Sequence, residues 1–185
     1  TVTDIQGRIG GGALTGQFKG NWQGNRINVS GDLKLANGKL QQLLPFFTRD
    51  FAASGTVGIN THFALNGSNL QTLFNGARTD GTFTINGGEL NNVDLVRAMK
   101  ANRATGQRGG KTRFDSMSGS LQINGETYRY RGVQMTSGPM SAYGSVDISE
   151  GQVSGRVNAE LGTSGGIAAR AALTASGKLS DPVLR

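Results

Sequence analysis

The chain is expected to fold as a mainly β protein: a curved antiparallel β-sheet, arranged as a meander that forms an open groove or partial barrel, with two or three short helices. Three observations predict this. Apolar and polar residues alternate over long runs, which is the two-residue period of a strand with one greasy and one wet face. Asn-Gly and Gly-Gly pairs close those runs, as at Asn37-Gly38 and Asn66-Gly67, where a turn needs left-handed backbone. Glycine occurs 30 times in 185 residues and proline only three times, far above a typical glycine usage of about 7%. Apolar residues at 36% and aromatics at 6% are too few for a thick core, and a single curved layer suits that shortage.

The first clear strand places Ile27, Val29, Leu33 and Leu35 on one face and Asn28, Ser30, Asp32 and Lys34 on the other. The pattern resumes with Val57, Ile59, Phe63 and Leu65 opposite Asn60 and His62. Within residues 81–95, Gly-Thr-Phe-Thr-Ile-Asn-Gly-Gly-Glu-Leu-Asn-Asn-Val-Asp-Leu, a strand, a glycine turn and a helix start follow one another. Phe83 and Ile85 face one way, and Thr82, Thr84 and Asn86 the other. Residues 119–125, Gly-Ser-Leu-Gln-Ile-Asn-Gly, repeat the strand part almost residue for residue, which marks a shared building unit. Further strands are expected over 127–136, 140–148, 152–161 and 167–179, the last with Ile167, Ala169, Ala171 and Leu173 inward. Glu150-Gly151 and Gly165-Gly166 supply turns.

Three short helices carry apolar residues three and four apart. Leu40, Leu43, Leu44 and Phe47 suggest the first, with Pro45 able to break it. Leu70, Leu73 and Phe74 suggest the second, capped by Ser68 or Asn69 and stopped at Gly76. Asn92 is read as the cap of the third, with Asp94 in its first turn, Leu95, Val96 and Met99 on its apolar face, and Arg97, Lys100 and Arg103 toward the end that favours cations.

A chain of this length fits one domain, 1–185, able to bury roughly 70% of its unfolded surface. It has no cysteine, so thiolate metal sites, disulfides and thiol nucleophiles are excluded. No run approaches the roughly 18 apolar residues of a membrane-spanning helix. Starting at Thr1, the chain reads as an excised portion of something longer. Its net charge of +7 gathers in Arg97, Lys100, Arg103, Arg108, Lys111 and Arg113, a stretch with no acidic residue. That stretch is either a solvated segment or a surface for anionic head groups or nucleic acid. Like-charge runs are usually solvated, and no aromatic lies between Arg97 and Arg113 to stack on bases. Nucleic acid is therefore not expected.

Catalytic patterns are absent. Gly106-Gln-Arg-Gly-Gly-Lys-Thr112 has three residues where a phosphate-binding loop has four, and a strand follows instead of a helix. His62 is the only histidine and belongs to a polar face. Without cysteine, a zinc site around it would need mainly carboxylates, and no serine sits in a nucleophile elbow. No catalytic residue, cofactor or metal is assigned. The apolar stripe itself has two readings, the packed core of a sandwich or barrel and a lining for ligand; a transmembrane barrel lacks its aromatic girdles.

The order of elements resembles the C-terminal domain of the AsmA family of bacterial envelope proteins. The resemblance rests on Leu70-Gln-Thr-Leu-Phe-Asn-Gly76, the 81–95 unit, the helix after it, Thr112-Arg-Phe114, the 121–125 strand, Gly144-Ser-Val-Asp-Ile148 and Gly177-Lys-Leu-Ser-Asp-Pro182. It covers 55–182 well and 1–54 loosely. It implies a periplasmic location in a Gram-negative bacterium, within a protein held in the inner membrane by a segment outside this chain. It further implies a part in phospholipid transport between membranes and in outer-membrane homeostasis, similar to bridge-like lipid transfer proteins, with no catalytic residues to carry over. The expected function is non-enzymatic lipid handling. Leu33, Leu35, Ile59, Phe63, Phe83, Ile85, Leu121 and Ile123 are the candidate lining of an apolar groove for phospholipid or another envelope lipid. Arg97, Lys100, Arg103, Arg108, Lys111 and Arg113 are the head-group candidates. The alternative is a scaffold with a self-filled core that recruits envelope proteins by strand addition. An envelope hydrolase would need Glu89, Asp94 or His62 to converge in a pocket.

Overall fold

Alternation and glycine turns produce a meander whose strands are all antiparallel to their neighbours. The computed structural model describes residues 2–101 and 104–185. In chain order it contains β1 (Val2–Ile9), β2 (Gly12–Gln23), β3 (Arg26–Lys39), α1 (Leu40–Leu43) running into a 3-10 turn (Leu44–Phe46), β4 (Ala53–Gly67), α2 (Leu70–Asn75), β5 (Arg78–Asn91) and α3 (Leu95–Lys100). There follow β6 (Gln107–Arg108), β7 (Lys111–Asn124), β8 (Thr127–Ser137), β9 (Met140–Ser149), β10 (Gln152–Thr163), β11 (Gly166–Lys178) and β12 (Asp181–Leu184). One sheet takes all the strands, in the order β1-β2-β3-β4-β5-β7-β8-β9-β10-β11-β12-β6. The sheet is not closed. The mainly β class, the antiparallel meander and the short helices stand as the sequence predicts.

The position of β6 organises the right half of the molecule. It lies inside the β5–β7 connection yet pairs with β12, Arg108 opposite Val183 and Gln107 opposite Leu184. The far edge of the sheet is thus fastened to a connection that starts from its middle. Asn92 Nδ2 reinforces the link by donating to the Ser180 carbonyl at 3.1 Å, and Arg108 pairs with the Asp181 carboxylate. Adjacent strands rotate by roughly 20–25°. Across the steps from β5 to β11 that twist turns the β11–β12 turn back toward α3.

The core lies on one face, where Leu35, Val57, Phe83, Ile85, Phe114, Met135, Ala142, Val153, Leu173 and Leu184 belong to a single buried cluster. α3 covers it with Leu95 and Ala98, both 4% exposed. The third helix differs from expectation at its start. Asn92 sits at φ 61° and is part of the turn, while Asp94 is the cap, its carboxylate accepting from the Arg97 N–H at 2.9 Å. Asn69 caps α2, accepting from the Thr72 N–H at 3.0 Å. Pro45 is the second residue of the 3-10 turn, and the first helix is one α-turn long. In β11, Leu173 and Ala175 are buried, but Ile167 and Ala169 are exposed; a register shift between Leu161 and Gly162 re-aims Ile167, while Ala169 stays in the inward phase opposite Leu161.

Strand glycines of the inner face stand opposite bulky partners: Gly16 faces Leu33, Gly31 faces Phe18 and Phe63, Gly81 faces Leu121, and Gly119 faces Phe83. The 81–86 strand and its echo at 119–124 are hydrogen-bonded neighbours, and antiparallel pairing sets the glycine of each against the first apolar residue of the other. Phe83 fills the space over Gly119, where an added Cβ would lie 3.1 Å from the ring. The same ring meets Tyr130 edge-on, with centroids 5.9 Å apart.

Candidate functional site

Directly opposed residues of an antiparallel pair point to the same side of the sheet, so the register decides which candidates share a face. One row runs Leu14, Leu35, Ile59, Phe83, Gly119. A second runs Leu33, Thr61, Gly81, Leu121, Tyr130, Val146, Gly155, Ala175, Leu184. A third runs Phe18, Gly31, Phe63, Thr79, Ile123, Tyr128, Ile148, Val153. Val57, Ile85, Met117, Met135, Ala142 and Ala159 form a fourth, next to the first. All eight candidate lining residues therefore face inward together.

They are not equally accessible. Leu35, Phe83 and Ile85, at 7–8% exposure, are packed against the protein's own side chains at the rim that carries α1 and α3. Ile59 and Leu121 are half-buried against that cluster. Leu33, Phe63 and Ile123 are also half-buried but lie outside the cluster's contacts. The inner face is thus sealed along one rim and opens toward the other. Two shallow surface depressions, of about 370 and 410 Å³, touch β2–β4 and β8–β10.

The basic segment divides in the same way. Glu89, from the neighbouring strand, takes Lys111 on Oε1 at 2.7 Å and Arg113 on Oε2 at 3.2 Å, and these two cations hold its carboxyl below the ordinary carboxylate range, mainly through their hydrogen bonds. Arg108 is paired with Asp181. Arg97 and Lys100 are exposed on α3 and have no ion pair among the described residues. Arg103 lies outside the described residues.

Thr112, 4% exposed, joins this segment to the core. Its hydroxyl donates to the Val93 carbonyl at 2.7 Å and accepts from the Leu95 N–H at 3.0 Å. It is the hinge pin of α3, and it escaped the sequence reading because a threonine at a strand start is unremarkable. Tyr130 also escaped it; burial on the inner face pushes its phenol up to about 12.

Residues of the hydrolase alternative do not converge. His62 Nδ1 lies 3.0 Å from Asp32 on the outer face, Glu89 is held by two cations, and Asp94 caps a helix. Among the described residues no group of three or more His, Asp or Glu side chains is placed to hold a metal ion. Compared with known proteins, the chain matches no family model, no curated protein and no solved structure. The fold and these contacts define it as a single-sheet antiparallel β protein whose inner face is mostly apolar.

Proposed function

We propose that this chain is a non-enzymatic lipid-handling domain whose inner face receives acyl chains, in an AsmA-like protein of the Gram-negative periplasm that takes part in phospholipid transport between membranes and outer-membrane homeostasis. The observation that carries the reading is the register: eight apolar candidates stand in continuous rows on one face, and the rows holding Leu33, Phe63 and Ile123 keep part of their surface in contact with solvent. Apolar surface removed from water contributes about 25 cal/mol per Å², so a partly enclosed acyl chain is held without any polar recognition. Of the head-group candidates, Arg97 and Lys100, on α3, carry no ion pair among the described residues. The test is a photocrosslinking residue at Phe63 on the inner face and another at Asn60 on the outer face of the same strand. Phospholipid adducts at 63 and none at 60 are expected; equal labelling, or no lipid at either, removes the proposal.

A second reading is the scaffold with a self-filled core, favoured by the burial of Leu35, Val57, Phe83 and Ile85. In that version β1, whose eight residues include neither lysine nor proline and which pairs with β2 without a register shift, offers its outer edge to a partner strand. Phospholipid-free protein that still captures envelope partners, and loses them when Ile5 is replaced by proline, would support it.

A further inference from the structure

Large apolar side chains exposed to water are few here, and they are not scattered. Among the described residues seven are exposed: Ile9, Trp22, Phe46, Phe47, Val96, Tyr143 and Ile167. Four of them stand at one rim: Ile9 ends β1, Phe46 and Phe47 belong to the β3–β4 connection and Val96 to the β5–β7 connection. These connections touch. The Gly10 position lies against Leu43 of α1, the Lys39 N–H donates to the Gly10 carbonyl at 2.7 Å, and the Asn91 N–H donates to the Ala52 carbonyl at 3.1 Å.

Phe46 and Phe47 dominate the rim at 73% and 66% exposure. Adjacent phenylalanines are expensive to leave in water, and a core position was within reach, since Phe51 a few residues on is packed against the cluster. The turn that displays them is fixed. The Phe47 and Thr48 N–H groups both donate to the Leu44 carbonyl, at 2.9 and 2.8 Å, and the Asp50 N–H donates to Thr48 Oγ1 at 3.0 Å. Arg49 follows them on the same connection, and Arg97 and Lys100 lie on α3 in the β5–β7 connection, all exposed and without an ion pair among the described residues. Of the acids nearby, Glu89 is occupied by Lys111 and Arg113 and Asp94 is turned to its capping bond. Asp50 is left on the turn itself.

From this arrangement we infer that the rim carrying Phe46 and Phe47 docks on an anionic lipid bilayer, the two rings entering the interface while Arg49, Arg97 and Lys100 meet phosphate groups. Aromatic rings at head-group level and cations beside them are what such a boundary selects. The exposed phenylalanines and Val96 share two connections with the unpaired cations, a pairing of apolar and basic side chains that suits an anionic lipid interface. The inference goes beyond the lipid-handling reading, because a rim can dock whether or not acyl chains enter the inner face.

The native Trp22, 69% exposed near the end of β2 at the opposite rim, provides the control. The experiment is flotation with phosphatidylglycerol-rich vesicles and with pure phosphatidylcholine vesicles, together with tryptophan emission. Wild-type protein is expected to float with the anionic vesicles and leave Trp22 emission unchanged. In a Trp22→Phe, Phe47→Trp variant the emission should shift to the blue and be quenched by lipids brominated on the acyl chains. Phe46→Ser with Phe47→Ser should weaken binding about tenfold or more, and Arg97→Glu with Lys100→Glu by a similar factor. All these positions are exposed, so unchanged thermal unfolding is the check that the variants fold. Failure of the wild type to float, a shift at Trp22 instead of position 47, or vesicle-independent binding of a protein through the same phenylalanines would each overturn the inference. Loss of the lipid adducts at Phe63 would leave it standing.

Discussion

Single side chains decide more here than their number suggests. Thr112→Val keeps the volume but removes a hydroxyl that answers two backbone groups of the α3 start; leaving buried polar groups unanswered costs about 1–3 kcal/mol, to be read from urea unfolding. Phe83→Ala is expected to cost about 3–5 kcal/mol, since the ring fills the space over Gly119 and packs on Tyr130. Tyr130 gives a pH prediction. Its folded value of about 12 lies above its ordinary 10.0, so its contribution is complete below pH 10 and is lost as pH rises toward 12. The alkaline decline should flatten in Tyr130→Phe. Glu89 acts in the opposite direction: its pKa is lowered from 4.5, so its contribution is present above that value and lost on acidification, and Glu89→Gln should remove that part of the acid sensitivity. The facing of Phe83 and Ile85 was legible from alternation. The partners of Lys111, Arg113 and Arg108 were not, because Glu89 and Asp181 stand 22, 24 and 73 residues away and only the strand register brings them near.

Elements were legible where apolar residues mark every second position, and obscure where glycine takes their place. β3, β4 and β5 carry such marks. In β2 the inward positions are Leu14, Gly16, Phe18, Gly20 and Trp22, and a stripe interrupted twice by glycine does not read as a stripe. The missing volume is supplied by the facing strand, which a lone sequence does not reveal. Gly31 tests this: a Cβ there would stand 2.1 Å from the Gln17 carbonyl oxygen and 2.9 Å from the Phe18 side chain, so Gly31→Ala should destabilise by about 1–3 kcal/mol, measured by thermal or urea unfolding. β6 was hidden for another reason. Two residues carry no period, and only the arrival of β12 makes them a strand. Asp94→Ala should cost about 1 kcal/mol and speed amide exchange in α3, whereas Asn92→Ala should act through the turn.

For the whole molecule, the class of fold was readable from composition and turn spacing, but its division into a sealed rim and an open one was not. Burial depends on how far the sheet curls, and that is set by twist accumulated over many strands and by the clasp of β6 on β12. Leu184, 4% exposed, is packed inside that clasp. Leu184→Ala is expected to cost about 2–5 kcal/mol and, by hydrogen exchange, to loosen residues 92–110 together with β11 and β12 while β2 to β4 keep their protection.

The clasp also makes the two ends of the sheet unequal. A two-residue strand closes the β12 side and is too short to template another chain, while β1 presents a full row of backbone donors and acceptors on its outer side. β12 and Arg185 cover only residues 174–178 of β11, so a full-length strand can be added at β1, whereas at the other end only the first part of β11 offers an edge. Whole rows of the inner face would then continue past β1, away from the clasp.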